Sequence, residues 1–194
     1  MAPLSDEQTY TFAASPTEWR EWARELADAA ERLWRDSSDL RALSSRSISG
    51  MPDRRGLSRP VIFLAALSIE NLLKGLRIME DPQLVANGRL HGSLIEHRLD
   101  VLLKGLQSTT PTSLERELCA VLSRAIPYWG RYPVPLTAKN IERESTLSED
   151  LFDLYRRLFR KLDAELYRQL QNGWDGPHGM RLDSTYDSEL EKRK

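Results

Sequence analysis

The sequence predicts an all-α fold, a bundle of five main helices. Three observations lead there. Apolar residues recur at helical spacing, most clearly as Leu151, Leu154, Tyr155, Leu158, Leu162, Leu166 and Leu170. Ser/Thr-x-x-Glu capping patterns head two segments, at 15–18 and 146–149. No stretch alternates apolar and polar residues as a half-buried strand would. The 194 residues suit one domain, and 40% hydrophobic with 29% charged residues suits one that forms a core.

Residues 1–14 read as a flexible leader. The domain proper is expected to run from 15 to 172. Ser15 is the expected cap of the first helix, with Pro16 in its first turn and Glu18 completing the box. Its apolar face is read as Trp19, Trp22, Leu26, Ala29, Ala30 and Leu33, with Asp28–Arg32 and Glu31–Arg35 as ion pairs four apart. Gly50, Pro52 and Gly56 mark a loop over 44–57. A second helix runs from Ser58 to about Met79, where Asp81-Pro82 stops it. Ile62, Phe63, Leu64, Leu67, Ile69, Leu72, Leu73, Leu76 and Met79 cover most of its circumference, so it is the expected core helix. Asn87-Gly88 signals a turn. A third helix is expected over 94–106, opened by His97, and a fourth over 113–125. Pro127, Pro133 and Pro135 make 127–140 non-helical. The last helix ends near Leu170, and 173–194 read as a mobile, disordered polar tail.

Net charge is −1, which gives no global field toward nucleic acid or membrane. A single cysteine, Cys119, excludes an intramolecular disulfide and a multi-cysteine zinc site. With no apolar signal stretch at the start, a cytoplasmic location is expected. The longest apolar run, Val61–Leu67, is far short of the roughly 20 residues that cross a bilayer. No metal site and no cofactor motif are read from the sequence.

The core helix carries Glu70 and Lys74 four residues apart. On an exposed face such a pair contributes roughly 0.3–0.5 kcal/mol. Buried, each charge needs more partners. His97 and Arg131 are the candidates, so Glu70, Lys74, His97 and Arg131 are expected to form one polar cluster. That cluster reads either as a structural device fixing helix register or as a site where His97 acts as acid or base and Arg131 binds phosphate. Trp129 and Tyr132 flank Arg131, either plugging the bundle end or stacking on a nucleobase. Arg156 and Arg160 share a face of the last helix and are candidate phosphate contacts, in a run that includes an Asp153–Arg157 spacing. Arg46, Arg54, Arg55 and Arg59 form a second basic group.

The string Ala65-Ala66-Leu67-Ser68-Ile69-Glu70 through Leu73-Lys74, followed by His97-x-Leu99, resembles bacterial proteins of the HEPN-like superfamily. Trp129-Gly130-Arg131-Tyr132-Pro133 is similar to a string in one bacterial branch of that group. The resemblance covers about 58–135. It implies a compact helical bundle, a homodimer, and a setting in stress response or anti-phage defence. Many members are ribonucleases that use an Arg, a polar residue and a His a few positions on, across a dimer cleft. Here seven residues separate Arg89 from His97, and Arg77 lies further still from His91, so the resemblance implies the fold more than the nuclease chemistry. The leading expectation is a module that binds RNA, a nucleotide or a protein partner. The alternatives are a metal-independent ribonuclease using His97 with nearby Arg residues, and a purely structural interaction protein. Trp19, Trp22 and Trp34 on one helix add to the expectation of a homodimer.

Overall fold

The computed structural model describes residues 3–44, 58–129 and 148–183. The α-helices are α1 (Asp6–Ala13), α2 (Pro16–Ser44), α3 (Ser58–Glu80), α4 (Leu99–Lys104), α5 (Ser113–Arg124) and α6 (Glu149–Leu170). A two-stranded antiparallel hairpin, β1 (Trp174–Asp175) and β2 (Arg181–Leu182), follows α6. The architecture is all-α, as the periodicity predicts.

α3 is the central helix. Val61, Ala65, Ala66, Ile69, Leu72, Leu73 and Leu76 form one broad buried face, and every residue from Ser68 to Leu76 is buried, so its middle turns are enclosed all round. Its most extensive partner is α2, then α6. The buried stripe of α2 is not the one that its large side chains suggest. Arg20, Ala23, Ala27, Ala30 and Trp34 face inward, while Trp22 is 56% exposed. Small residues win this face because they let two backbones approach. Ala23 and Ala30 meet an α3 that offers Ala65 and Ala66. Gly75 serves the same end: a Cβ there would stand 3.0 Å from Leu166 Cδ2 and 3.2 Å from Trp19 Cβ.

Several boundaries differ from expectation. The supposed leader carries α1, opened by a full capping box between Ser5 and Gln8. Ser15 does not cap α2 with its side chain, since its buried hydroxyl has no hydrogen-bond partner among the described residues. The box that heads α5 is instead Thr112 with Glu115. At α6 the cap is Ser148, which accepts from the Leu151 N–H; Thr146 lies outside the described residues. The expected 94–106 helix is broken into a short 3-10 turn, Gly92–Leu94, and α4. Past α5 the chain keeps turning helically through Pro127 as a wide π-type turn, Ala125–Trp129. Proline has no N–H to donate and its ring crowds the preceding turn of an α-helix; the wider turn gives that ring room.

The described part of the segment after α6, residues 171–183, carries regular structure. Trp174 is buried, and its indole N–H donates to the Ile78 carbonyl at 3.3 Å. Gly173 at φ +76° supplies the left-handed turn that leads into the hairpin. Trp174 and Leu182 complete a second apolar cluster with Ala14, Ile78, Leu84, Val85 and Leu94. The Asn87-Gly88 turn has positive φ at both residues and is held by Asn87 N–H to His178 Nε2 at 3.2 Å. Residues 184–194 lie outside the described residues.

Candidate functional site

Glu70 and Lys74 point from α3 into the packed interior, and both are buried. Lys74 Nζ donates to Glu70 Oε1 at 2.5 Å. The ammonium also lies 5.8 Å from the centre of the Trp19 ring, whose face attracts a cation. His97 closes the cluster from a different element. It stands in the coil just before α4, not inside a helix, with Nδ1 3.1 Å and 3.2 Å from the two Glu70 oxygens. Three of the four residues expected to converge therefore do so. Arg131 and Tyr132 lie outside the described residues, as does the side chain of Trp129.

The segment around His97 is fixed by its own polar contacts. The Glu96 carboxylate accepts from the backbone N–H groups of His97 (3.0 Å) and Arg98 (2.9 Å). The Leu99 N–H donates to Ser123 Oγ on α5 at 2.8 Å. These bonds satisfy donors at the start of α4, where Arg98 supplies no side-chain cap. A carboxylate already paired with Lys74 accepts hydrogen bonds, so Nδ1 carries the proton toward Glu70 and Nε2 is the outer nitrogen. The His97 side chain is 49% exposed. The result is an imidazole held by a buried ion pair and presented at the surface. Chemically it can donate, accept or shuttle a proton.

The charges beside it are largely balanced. Lys74 answers Glu70, and Arg98 pairs with Asp100 at 2.9 Å. Apolar surface is closer at hand: Ile95 is 64% and Val101 37% exposed, on either side of His97 in the chain.

The phosphate contacts expected on α6 are otherwise engaged. Arg156 grips Glu31 on α2 through Nε (2.6 Å) and Nη2 (2.7 Å), and its Nη1 reaches Asp153 at 2.7 Å. Its guanidinium lies 4.6 Å over the Phe152 ring. Bonding to Glu31 foremost, then to Asp153, holds it protonated well above the usual arginine value. Glu31 thus takes Arg156 rather than Arg35, whose Nε bonds the Glu31 carbonyl. Asp153 likewise takes Arg156 rather than Arg157. Arg160 bends back to the Arg156 carbonyl at 3.3 Å. Arg46, Arg54 and Arg55 lie outside the described residues.

One buried charge escaped the sequence reading altogether. Arg20 on α2 is buried and bonds Asp163 on α6, with its guanidinium 4.6 Å over the Tyr167 ring. The signal was present: stepping back from Trp34, Ala30, Ala27 and Ala23 at helical spacing lands on Arg20. Inside the core, Tyr155 shares a 2.9 Å hydrogen bond with Ser68, and burial pushes its hydroxyl pKa up. Burial, then the Glu115 and Asp100 charges, pushes the Cys119 thiol up to about 12, so it is no nucleophile in the folded chain. Among the described residues no three His, Cys, Asp or Glu side chains gather as a metal site. No described helix is long and apolar enough to cross a membrane.

Compared with known proteins, the chain matches no family model, no curated protein and no solved structure.

Proposed function

We propose that this chain is a HEPN-like helical module that binds a protein partner through the surface around His97, a second copy of the chain being the first candidate. The observation that carries this reading is exposed Ile95 and Val101 flanking a half-exposed imidazole that Glu70 and Lys74 anchor in the core. A fixed polar group with exposed apolar residues close by in the chain suits a desolvating protein interface, because little side-chain freedom remains to be lost on docking. The balanced charges beside His97 weigh against RNA or a nucleotide, since phosphate binding needs cations to spare. The three tryptophans of α2 leave less open aromatic surface for self-association than their number suggests. Trp34 stacks on Phe152 at 4.4 Å and Trp19 packs on the second apolar cluster, so only Trp22 adds open aromatic surface. Stress response or anti-phage defence is the setting the family resemblance suggests.

Sedimentation equilibrium between roughly micromolar and 100 µM tests the reading. A dimer that Ile95→Asp and Val101→Asp dissociate supports it. A monomer throughout, together with RNA binding that His97→Ala abolishes, overturns it in favour of a nucleic-acid role.

One observation also favours a metal-independent ribonuclease. A carboxylate-held, half-exposed imidazole is the arrangement that general acid–base catalysis uses. Cleavage of RNA in chelator, lost in His97→Ala, identifies that activity.

A further inference from the structure

α2 and α6 are joined at two levels, by Arg20–Asp163 and by Glu31–Arg156. Between those ion pairs the helices part. Ala27 is too small to fill the space opposite Phe159, and a groove of about 290 Å³ opens along the seam. That volume lies at the small end of ligand sites.

Its chemistry is specified by which groups remain available. Glu31 and Arg156 are engaged with each other. Tyr155 contributes a ring, because its hydroxyl turns inward to Ser68. The floor is therefore apolar: Ala27, Tyr155 and Phe159. On the α2 rim stands Asp28, whose carboxylate bonds no described residue although its charge reaches the Tyr155 hydroxyl. On the α6 rim stands Arg160, exposed, with only Nε bonded, to the Arg156 carbonyl. An apolar floor between one carboxylate and one guanidinium is complementary to a small molecule with an ammonium, a carboxylate and an apolar side chain.

We propose that this groove binds an apolar α-amino acid. The ammonium meets Asp28, the carboxylate takes the planar fork of Arg160, and the side chain lies on Phe159. A ligand with a single charge leaves one rim unanswered.

Saturation-transfer NMR on the full chain tests the proposal with L-leucine and L-phenylalanine as probes. N-acetyl-leucine, without the ammonium, and leucinamide, without the carboxylate, are the controls. Saturable binding at millimolar dissociation constants or tighter is expected, weakened about tenfold by either chemical block. Asp28→Asn and Arg160→Gln each weaken it similarly, and both positions are exposed, so circular dichroism should show the fold unchanged. No saturation transfer at about 10 mM, or binding that both variants leave intact, overturns the assignment.

Discussion

The carboxylate of Asp163 holds the buried guanidinium of Arg20 by two bonds, 2.7 Å to Nε and 3.3 Å to Nη2, tying α2 to α6 near the end where α2 begins. Removing the carboxylate takes the ion partner from a guanidinium that water reaches poorly. Asp163→Ala is expected to lower unfolding free energy by about 3 kcal/mol in urea titrations, the partial exposure of Asp163 keeping the loss at the low end of the buried range. Arg20→Met combined with Asp163→Leu should recover most of it, because an apolar pair has no ionic group to desolvate. A double variant as unstable as the single one would contradict this.

Glu70 serves two partners at once. Glu70→Ala is expected to cost on the order of 3 kcal/mol, since it leaves the Lys74 ammonium buried without its carboxylate. The effect on His97 is separate and visible by NMR: its Nδ1 proton loses the acceptor and exchanges faster with water. His97→Ala should cost less, because the buried pair stays intact. Equal losses for the two variants would refute the hierarchy.

Gly75 gives a contrary expectation to helix propensity. Alanine in a helix normally gains about 1 kcal/mol over glycine. Here the new methyl group meets Leu166 and the backbone-anchored Cβ of Trp19, and overpacking of that kind costs about 2 kcal/mol. A net loss near 1 kcal/mol is therefore expected for Gly75→Ala by thermal denaturation. A stabilised variant would show that α2 and α6 shift apart freely.

Acid should weaken the α5–α6 contact. Burial tends to raise the Glu115 pKa, but the Thr112 N–H and Lys161 outweigh it and hold the carboxyl below its usual 4.5. A depressed folded value means stability fully present above 4.5 and lost as pH falls through the folded value. Unfolding free energy measured from pH 5 downward should therefore fall less steeply in Glu115→Gln than in wild type.

RNA cleavage is expected to be weak or absent. The Arg-to-His spacing implied by the family resemblance is missing, and the cations beside His97 are paired. Gel assays on total RNA check this. If a metal-independent activity is found, His97→Ala should lower its rate by roughly 10²-fold or more with stability little changed. Cleavage unaffected by the substitution would point away from this site.

How much of this was legible in the chain differs by element. α3 could be read because a helix buried on nearly every side is apolar on nearly every side. The same logic exposed Glu70 and Lys74, since a charge in such a helix must find a partner, and His97 was the nearby group of the right chemistry. α2 was read with its face rotated, because large side chains were counted as buried when close helix packing selects alanine. Arg20 goes unread for the same reason: with the face placed on the large side chains, the register through Ala23, Ala27, Ala30 and Trp34 that lands on Arg20 is not followed. α1 was missed although Ser5-Asp6-Glu7-Gln8 spells its cap, because its weak apolar stripe gives no periodicity. The two-residue strands of the hairpin are too short to show any pattern, and only the burial of Trp174 reveals that they matter.

The second apolar cluster draws on three distant stretches of chain, near 10–19, 78–94 and 174–182. Gln8 Nε2 donates to the His178 carbonyl at 3.3 Å, and Glu7 lies 3.4 Å from the His178 ring, so α1 is fastened by residues some 170 positions away in the chain. Closing such a loop sacrifices more chain entropy than any contact inside the bundle. α1 and the hairpin therefore share one apolar cluster with Ile78 and Val85, and each helps to keep those side chains from water. A protease that cuts just after Leu170 would untie the hairpin from the bundle, freeing Trp174 to leave and opening the Ile78 side of that cluster to water.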